Sequence, residues 1–148
     1  MARTDLIIIG SGPGGYRAAQ YAAKHGLEVI IFEDRRAGGT CLNEGCIPTK
    51  CLVHDSLKGT AFADAMTRKE QVSDQLRQGV EALMAQPHIT MVKTHAALAG
   101  DHKVVADGET YEADNIIIAT GSQAKLPPIA DIDRPEVMTS TELLSIDH

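Results

Sequence analysis

The sequence predicts an α/β fold, a parallel sheet built on a βαβ unit and extended by a small antiparallel meander. Three observations predict it. The apolar run DLIIIG at 5–10 is followed by an alanine-rich stretch and then by a second strand-like run, LEVIIFE at 27–33. Short strand-like pieces near 94–98, 102–106 and 109–113 are separated by turns at AGD and DGE. A third apolar run, NIIIATG at 115–121, again ends in glycine. Runs without polar alternation suit strands buried on both faces, and consecutive parallel strands need a crossover between them.

The remaining elements follow in order. Residues 14–26 have no interior breaker and end at Gly26, a suitable C-cap, so they predict a helix. Val72, Leu76, Val80, Leu83 and Met84 recur at helical spacing, which predicts an amphipathic helix over 62–86 ended by Pro87. HITMV at 88–92 reads as a strand, and 123–148 as a proline-punctuated connection with a short helix in TSTELLS. At 148 residues the chain can bury one real core. A net charge of −6 argues against nucleic acid as a partner, and no apolar run is long enough to span a bilayer. Met1–Asp5 leads straight into LIIIG, so no signal peptide is expected. Three cysteines form no even disulfide framework, which points to a reducing cytoplasm.

The first motif with chemical content lies in the βαβ unit. Gly10, Gly12 and Gly15 form G-x-G-x-x-G between strand and helix, with Ser11, Pro13 and Gly14 completing the turn. Such glycines permit the tight turn, the approach of backbone to a pyrophosphate, and close helix–strand packing. The helix N-terminus adds unclaimed N–H groups and a positive dipole end. Glu33 ends the next strand, with Asp34 beside it, and its carboxylate suits ribose hydroxyls. This Rossmann-like unit predicts dinucleotide binding, with NAD and FAD both open on physical grounds.

The glycine turn, Glu33, GGTCLNEGCIPTK at 38–50 and TYEADNIIIATGS at 110–122 together resemble the N-terminal FAD domain of the pyridine nucleotide–disulfide oxidoreductases. Within that family CLNEGCIPTK is most similar to dihydrolipoamide dehydrogenases, while THAAL at 94–98 also resembles glutathione reductases. The resemblance implies FAD as cofactor, touched by Ser11, Gly12, Glu33, Gly39, Thr40 and Cys41, with Ala96 at the adenine and Ala119, Thr120, Gly121 and Ser122 beside it. Thr110 heads the second flavin motif. Domain organisation is then 1–122 as the N-terminal part of an FAD-binding domain and 123–148 as a connection toward an NAD-binding domain. The sequence has no second glycine motif and no histidine–proline motif. The expectation is an N-terminal piece of a longer, homodimeric enzyme, inactive alone, with NAD+ bound elsewhere.

Cys41 and Cys46 admit three readings. A zinc site would recruit Cys51 and His54, but their spacing is not that of paired structural knuckles, and no metal is expected. A structural staple closing so short a loop would stabilise little. A redox pair remains. Residues five apart in a regular helix are separated by roughly 7.5 Å of rise, whereas a disulfide wants Cα atoms within about 7 Å. A bonded pair therefore predicts an irregularity at or just before Gly45, aided by Pro48, with helix resuming near Lys50. Lys50 lies one turn after Cys46 and would favour its thiolate. By resemblance, Cys46 and Lys50 lie at the flavin and Cys41 is the interchange thiol. The dithiol is then the lipoyl group of a 2-oxo acid dehydrogenase complex, with glutathione or mercuric reduction, or a non-catalytic nucleotide-binding module, as alternatives. Cys51 is expected to be buried filler.

Overall fold

The computed structural model describes residues 2–132 and 134–146; Met1, Asp133, Asp147 and His148 lie outside them, so the 123–148 connection is described only in part. The elements run β1 (Ala2–Ile9), α1 (Pro13–Lys24), β2 (Val29–Phe32), α2 (Gly39–Glu44), α3 (Cys46–Leu57), α4 (Phe62–Met84), β3 (Ile89–Val92), β4 (Ala96–Leu98), β5 (Lys103–Ala106), β6 (Glu109–Ile118) and α5 (Ser140–Leu143). The six strands form one sheet in the order β3-β2-β1-β6-β5-β4. Neighbours from β3 to β6 are parallel, and β6, β5 and β4 are antiparallel. This is the predicted α/β architecture.

The chain divides into two compact units. The first comprises Met1–Gly39 with Leu76–Gly121 and holds the sheet; the second comprises Thr40–Gln75 with the segment from Ser122 onward.

In the first unit β1 is the central strand. Ile7 and Ile8 point to opposite faces and neither is exposed, the double burial read from DLIIIG. One face gathers Ile7, Ile9 and Phe32 with Ala96, Val104, Ala106 and Ala113. Phe32 meets Tyr111 edge-on, with ring centroids 5.1 Å apart.

Two sequence expectations change here. The strands predicted at 109–113 and 115–121 are one strand, β6. Residues 109–112 pair with β5 on one edge, while Tyr111–Ile118 runs along β1 on the other. Among the described residues, 115–118 are paired on the β1 edge alone, and Ile117 and Ile118 are exposed rather than buried. The second change concerns α4. Leu76, assigned to its apolar stripe, is exposed, and Val80 and Met84 are buried in the first unit. In the second unit the buried positions of α4 are Ala65, Lys69 and Ser73.

The described residues after β6 are irregular until Thr139, which caps α5. The Thr139 N–H donates to the Glu142 carboxylate at 2.8 Å, one arm of a capping box. No helix among the described residues is long and apolar enough to cross a membrane.

Ile7→Ala is expected to cost about 2–5 kcal/mol of folding stability, since it empties a fully buried site. Leu57→Ala, at an exposed position, should stay within about 0.5 kcal/mol. Urea denaturation of the two variants checks the contrast.

Candidate functional site

Two groups of candidate residues occur, one in each unit. In the first unit the ends of three strands build a backbone cradle. Gly10 donates its N–H to the Phe32 carbonyl at 2.8 Å, and Ala119 donates to the Ile9 carbonyl at 2.8 Å. Gly10 has φ +99°, and a Cβ there would run into the Ala119 carbonyl. That conformation and that clearance both require glycine. A Cβ on Gly15 would collide with the Gly10 carbonyl oxygen, so this glycine sets how closely α1 packs on the turn.

Gly12 is the N-cap of α1, bonded to no side chain, and the first turn of the helix carries no acidic residue. Gly39, at φ +70°, approaches so closely that a Cβ on it would lie 2.7 Å from the Gly12 Cα. The result is a narrow floor of backbone beside a helix N-terminus whose first N–H groups lack intrahelical acceptors. A diphosphate fits such a floor, by close approach and by charge.

Glu33 stands beside this floor and is already engaged. Its Oε2 accepts from the Ser11 N–H at 2.8 Å and the Ser11 hydroxyl at 2.7 Å, and its Oε1 accepts from the Arg35 N–H at 2.9 Å. Ser11 is fully buried, and its carbonyl accepts from the Gly38 N–H at 3.0 Å. A carboxylate offers about four acceptor directions, so these three donors aim Glu33 while leaving capacity for a ribose hydroxyl.

The other first-unit candidates differ in accessibility. Pro13 and Gly14 are exposed in the first turn of α1, and Thr120 and Gly121 are exposed just past β6. Ala96 faces inward at 8% exposure, so only its backbone is available to an adenine. The Asp34 carboxylate lies 3.1 Å from Nδ1 of His95. Residue patterns gave no sign of that pair, because its partners are 61 positions apart.

In the second unit Cys41 of α2 and Cys46, the first residue of α3, are disulfide-bonded with Cα atoms 4.7 Å apart. The break falls at Gly45, the N-cap of α3. A Cβ on Gly45 would lie 3.1 Å from the Thr40 carbonyl oxygen and 3.3 Å from the Cys41 Cα, so the two helices meet through that glycine. Helix resumes at Cys46, earlier than predicted. Pro48 is the third residue of α3, where its missing N–H deprives no helical carbonyl. Cys46, Lys50, Thr40 and Ser122 are exposed and Cys41 is half-buried. Cys51 is a buried free thiol, as expected.

The buried residues of α3 are Pro48, Cys51 and Asp55, spaced along one face. Asp55 accepts two hydrogen bonds from Nη1 of Arg68, at 3.0 and 3.1 Å, and lies 3.4 Å from Nδ1 of His54. Burial pushes the Asp55 pKa up, but the hydrogen bonds from Arg68 and His54 outweigh it and hold the carboxyl below its ordinary value of 3.8. Buried Lys69 donates to the Leu144 carbonyl at 2.7 Å and pairs with Glu70 at 2.9 Å. The sequence reading missed these anchors. The available signal was a carboxylate at 55 on the helix face shared by 48 and 51.

A lowered folded-state pKa means that Asp55 contributes stability that is complete above the unfolded value and is lost as pH falls through the folded one. Asp55→Asn is therefore expected to show a weaker dependence of stability on pH below about 4, followed by circular dichroism during acid titration.

A family model described as pyridine nucleotide-disulphide oxidoreductase matches residues 4–146. The dihydrolipoyl dehydrogenase of Bacillus subtilis is 37% identical, over 97% of this chain and 36% of its own length. A glutathione reductase of Burkholderia cepacia is 35% identical, over 85% of this chain and 32% of its own. Among solved structures, the HOCl-induced flavoprotein disulfide reductase RclA from Escherichia coli matches with a TM-score of 0.92 and 37% identity, covering 97% of this chain and 34% of that one. This chain thus spans about a third of the length of these relatives. Because the family match takes in nearly every residue, and the fold match is close along the same stretch, this chain belongs to the pyridine nucleotide-disulphide oxidoreductases and has the fold of their FAD-binding domain.

Proposed function

We propose that this chain is the FAD-binding, disulfide-carrying part of an enzyme that oxidises a protein-bound dihydrolipoyl group, with NAD+ as final acceptor. The observation that carries this reading is the Cys41–Cys46 disulfide at the helix break on Gly45. The similarity to dihydrolipoyl dehydrogenase supports the substrate. The similarity to a glutathione reductase supports a second reading, in which the same pair reduces a glutathione-type disulfide. A reducing cytoplasm suits either reading.

The chain's own part in the chemistry is thiol–disulfide exchange. A substrate thiolate attacks Sγ of Cys41, the bond to Cys46 breaks, and Cys46 leaves as thiolate. The second substrate thiol then attacks the mixed disulfide, which releases cyclic disulfide product and Cys41 thiol. The substrate loses two electrons and the cysteine pair gains them. Cys46 as leaving group is favoured by its place at the first position of α3, where the helix N–H groups and dipole stabilise a thiolate. Lys50, one turn along, adds a positive charge. When bound, FAD would supply a two-electron acceptor for the reduced cysteine pair. Gly10, Ser11, Gly12, Pro13, Gly14, Gly15, Glu33, Asp34 and Gly39 would hold its ADP half, and Thr40, Ala96, Thr120, Gly121 and Ser122 complete the proposed set.

Glu33→Gln is expected to weaken FAD binding by about 1.5–3 kcal/mol, roughly ten- to hundredfold in Kd. The amide loses the charge and cannot serve both Ser11 and Arg35. Fluorescence titration with FAD reads the change, and an unaltered Kd would remove Glu33 from the site.

In a chain of the relatives' length loaded with FAD, Cys41→Ser is expected to keep a long-wavelength absorbance band that Cys46→Ser lacks. Identical spectra would mean that the roles of the two cysteines are misassigned.

A further inference from the structure

We infer that Asp55 and Arg68 are positioning residues for the redox pair, keeping α3, and with it Cys46, in register while the disulfide is open. The inference rests on the redox role proposed above for Cys41 and Cys46.

Little apolar burial holds α3. Its buried face is Pro48, Cys51 and Asp55, while Val53 and Leu57 are 55% and 85% exposed. A helix without an apolar stripe is poorly fixed by hydrophobic burial, which is in any case non-directional. The buried ion pair supplies direction. The Asp55 side chain is 4% exposed and accepts two bonds from one nitrogen of Arg68 on α4, beside the weaker contact from His54. Such pairs add little net stability, but separating the partners leaves a buried charge uncompensated, so their geometry resists change. The next residue of α4, Lys69, is buried and bonded to the carbonyl at the end of α5. Adjacent positions of α4 therefore fasten both neighbouring helices of this unit.

In the oxidised chain the disulfide ties the first residue of α3 to α2. Reduction adds two electrons and two protons, gives two thiols, and removes that tie. Burial of Pro48 and Cys51, together with the Asp55–Arg68 pair, then keeps the thiols close enough to close again. Without the pair α3 gains freedom chiefly in the reduced state. The dithiol is favoured, because the thiols meet at a lower effective concentration.

The test equilibrates the 148-residue chain in glutathione buffers and reads the fraction oxidised after thiol trapping. Each protein disulfide reduced converts two glutathione thiols to one glutathione disulfide. Asp55→Ala and Arg68→Met are expected to shift the equilibrium constant about tenfold toward the dithiol, close to 30 mV for this two-electron couple. Arg68→Lys, which keeps a charged donor, should shift it less. A purely structural role lowers the stability of oxidised and reduced forms alike and leaves the constant unchanged. An unchanged constant in folded Arg68→Met therefore overturns the proposal, as does an equal fall in Tm for the two redox forms. If Asp55→Ala does not fold, Arg68→Met carries the test, since the Arg68 side chain is 45% exposed. A native pair that never exchanges with glutathione refutes the redox reading itself.

Discussion

Within the first unit, β1 is hydrogen-bonded on both edges and buried on both faces, and its register fixes where the backbone cradle forms. Ile9 stands opposite Phe32 on one side and Ile118 on the other. Three strands thus end at the same level, and the residues that follow them, Gly10, Glu33 and Ala119, come together. A slip of one residue would turn every isoleucine of β1 to the wrong face, so apolar burial and site geometry are the same constraint seen twice. The glycines complete it. Only without side chains do the turn at Gly10, the packing at Gly15 and the approach of Gly39 to Gly12 fit together.

Glu33, proposed above to meet the ribose, is already oriented by the chain itself. Three donors from Ser11 and Arg35 hold the carboxylate in place. Its orientation would therefore cost little if the proposed nucleotide binds, which is how preorganisation raises affinity. The same bonds make it a structural residue, so its substitution would also disturb the turn.

The second unit is held differently. Its helices are fastened by directional polar contacts, from Arg68 to Asp55 and from Lys69 to the Leu144 carbonyl, and by one disulfide. Such fastening would suit the opening and closing proposed above for that disulfide. Hydrophobic packing alone would let the helix rotate or slide, whereas a buried ion pair breaks unless its geometry is kept.

The sequence by itself determined the local features: the glycine turn, the βαβ unit, the meander, the break at Gly45 and the pairing of two cysteines five positions apart. Each depends on backbone freedom, on periodicity or on short-range geometry, all of which a few adjacent residues encode. Tertiary structure decided the rest. Two predicted strands fused into β6 because β1 pairs with it across Asp114 and Asn115, where local composition reads as a break. Lys69 is buried because a carbonyl 75 residues away accepts a hydrogen bond from it. Asp55 became an anchor because Arg68 reaches it from the next helix. Long-range partners set the free energy of burying a charge, and no window of sequence around the charge contains them.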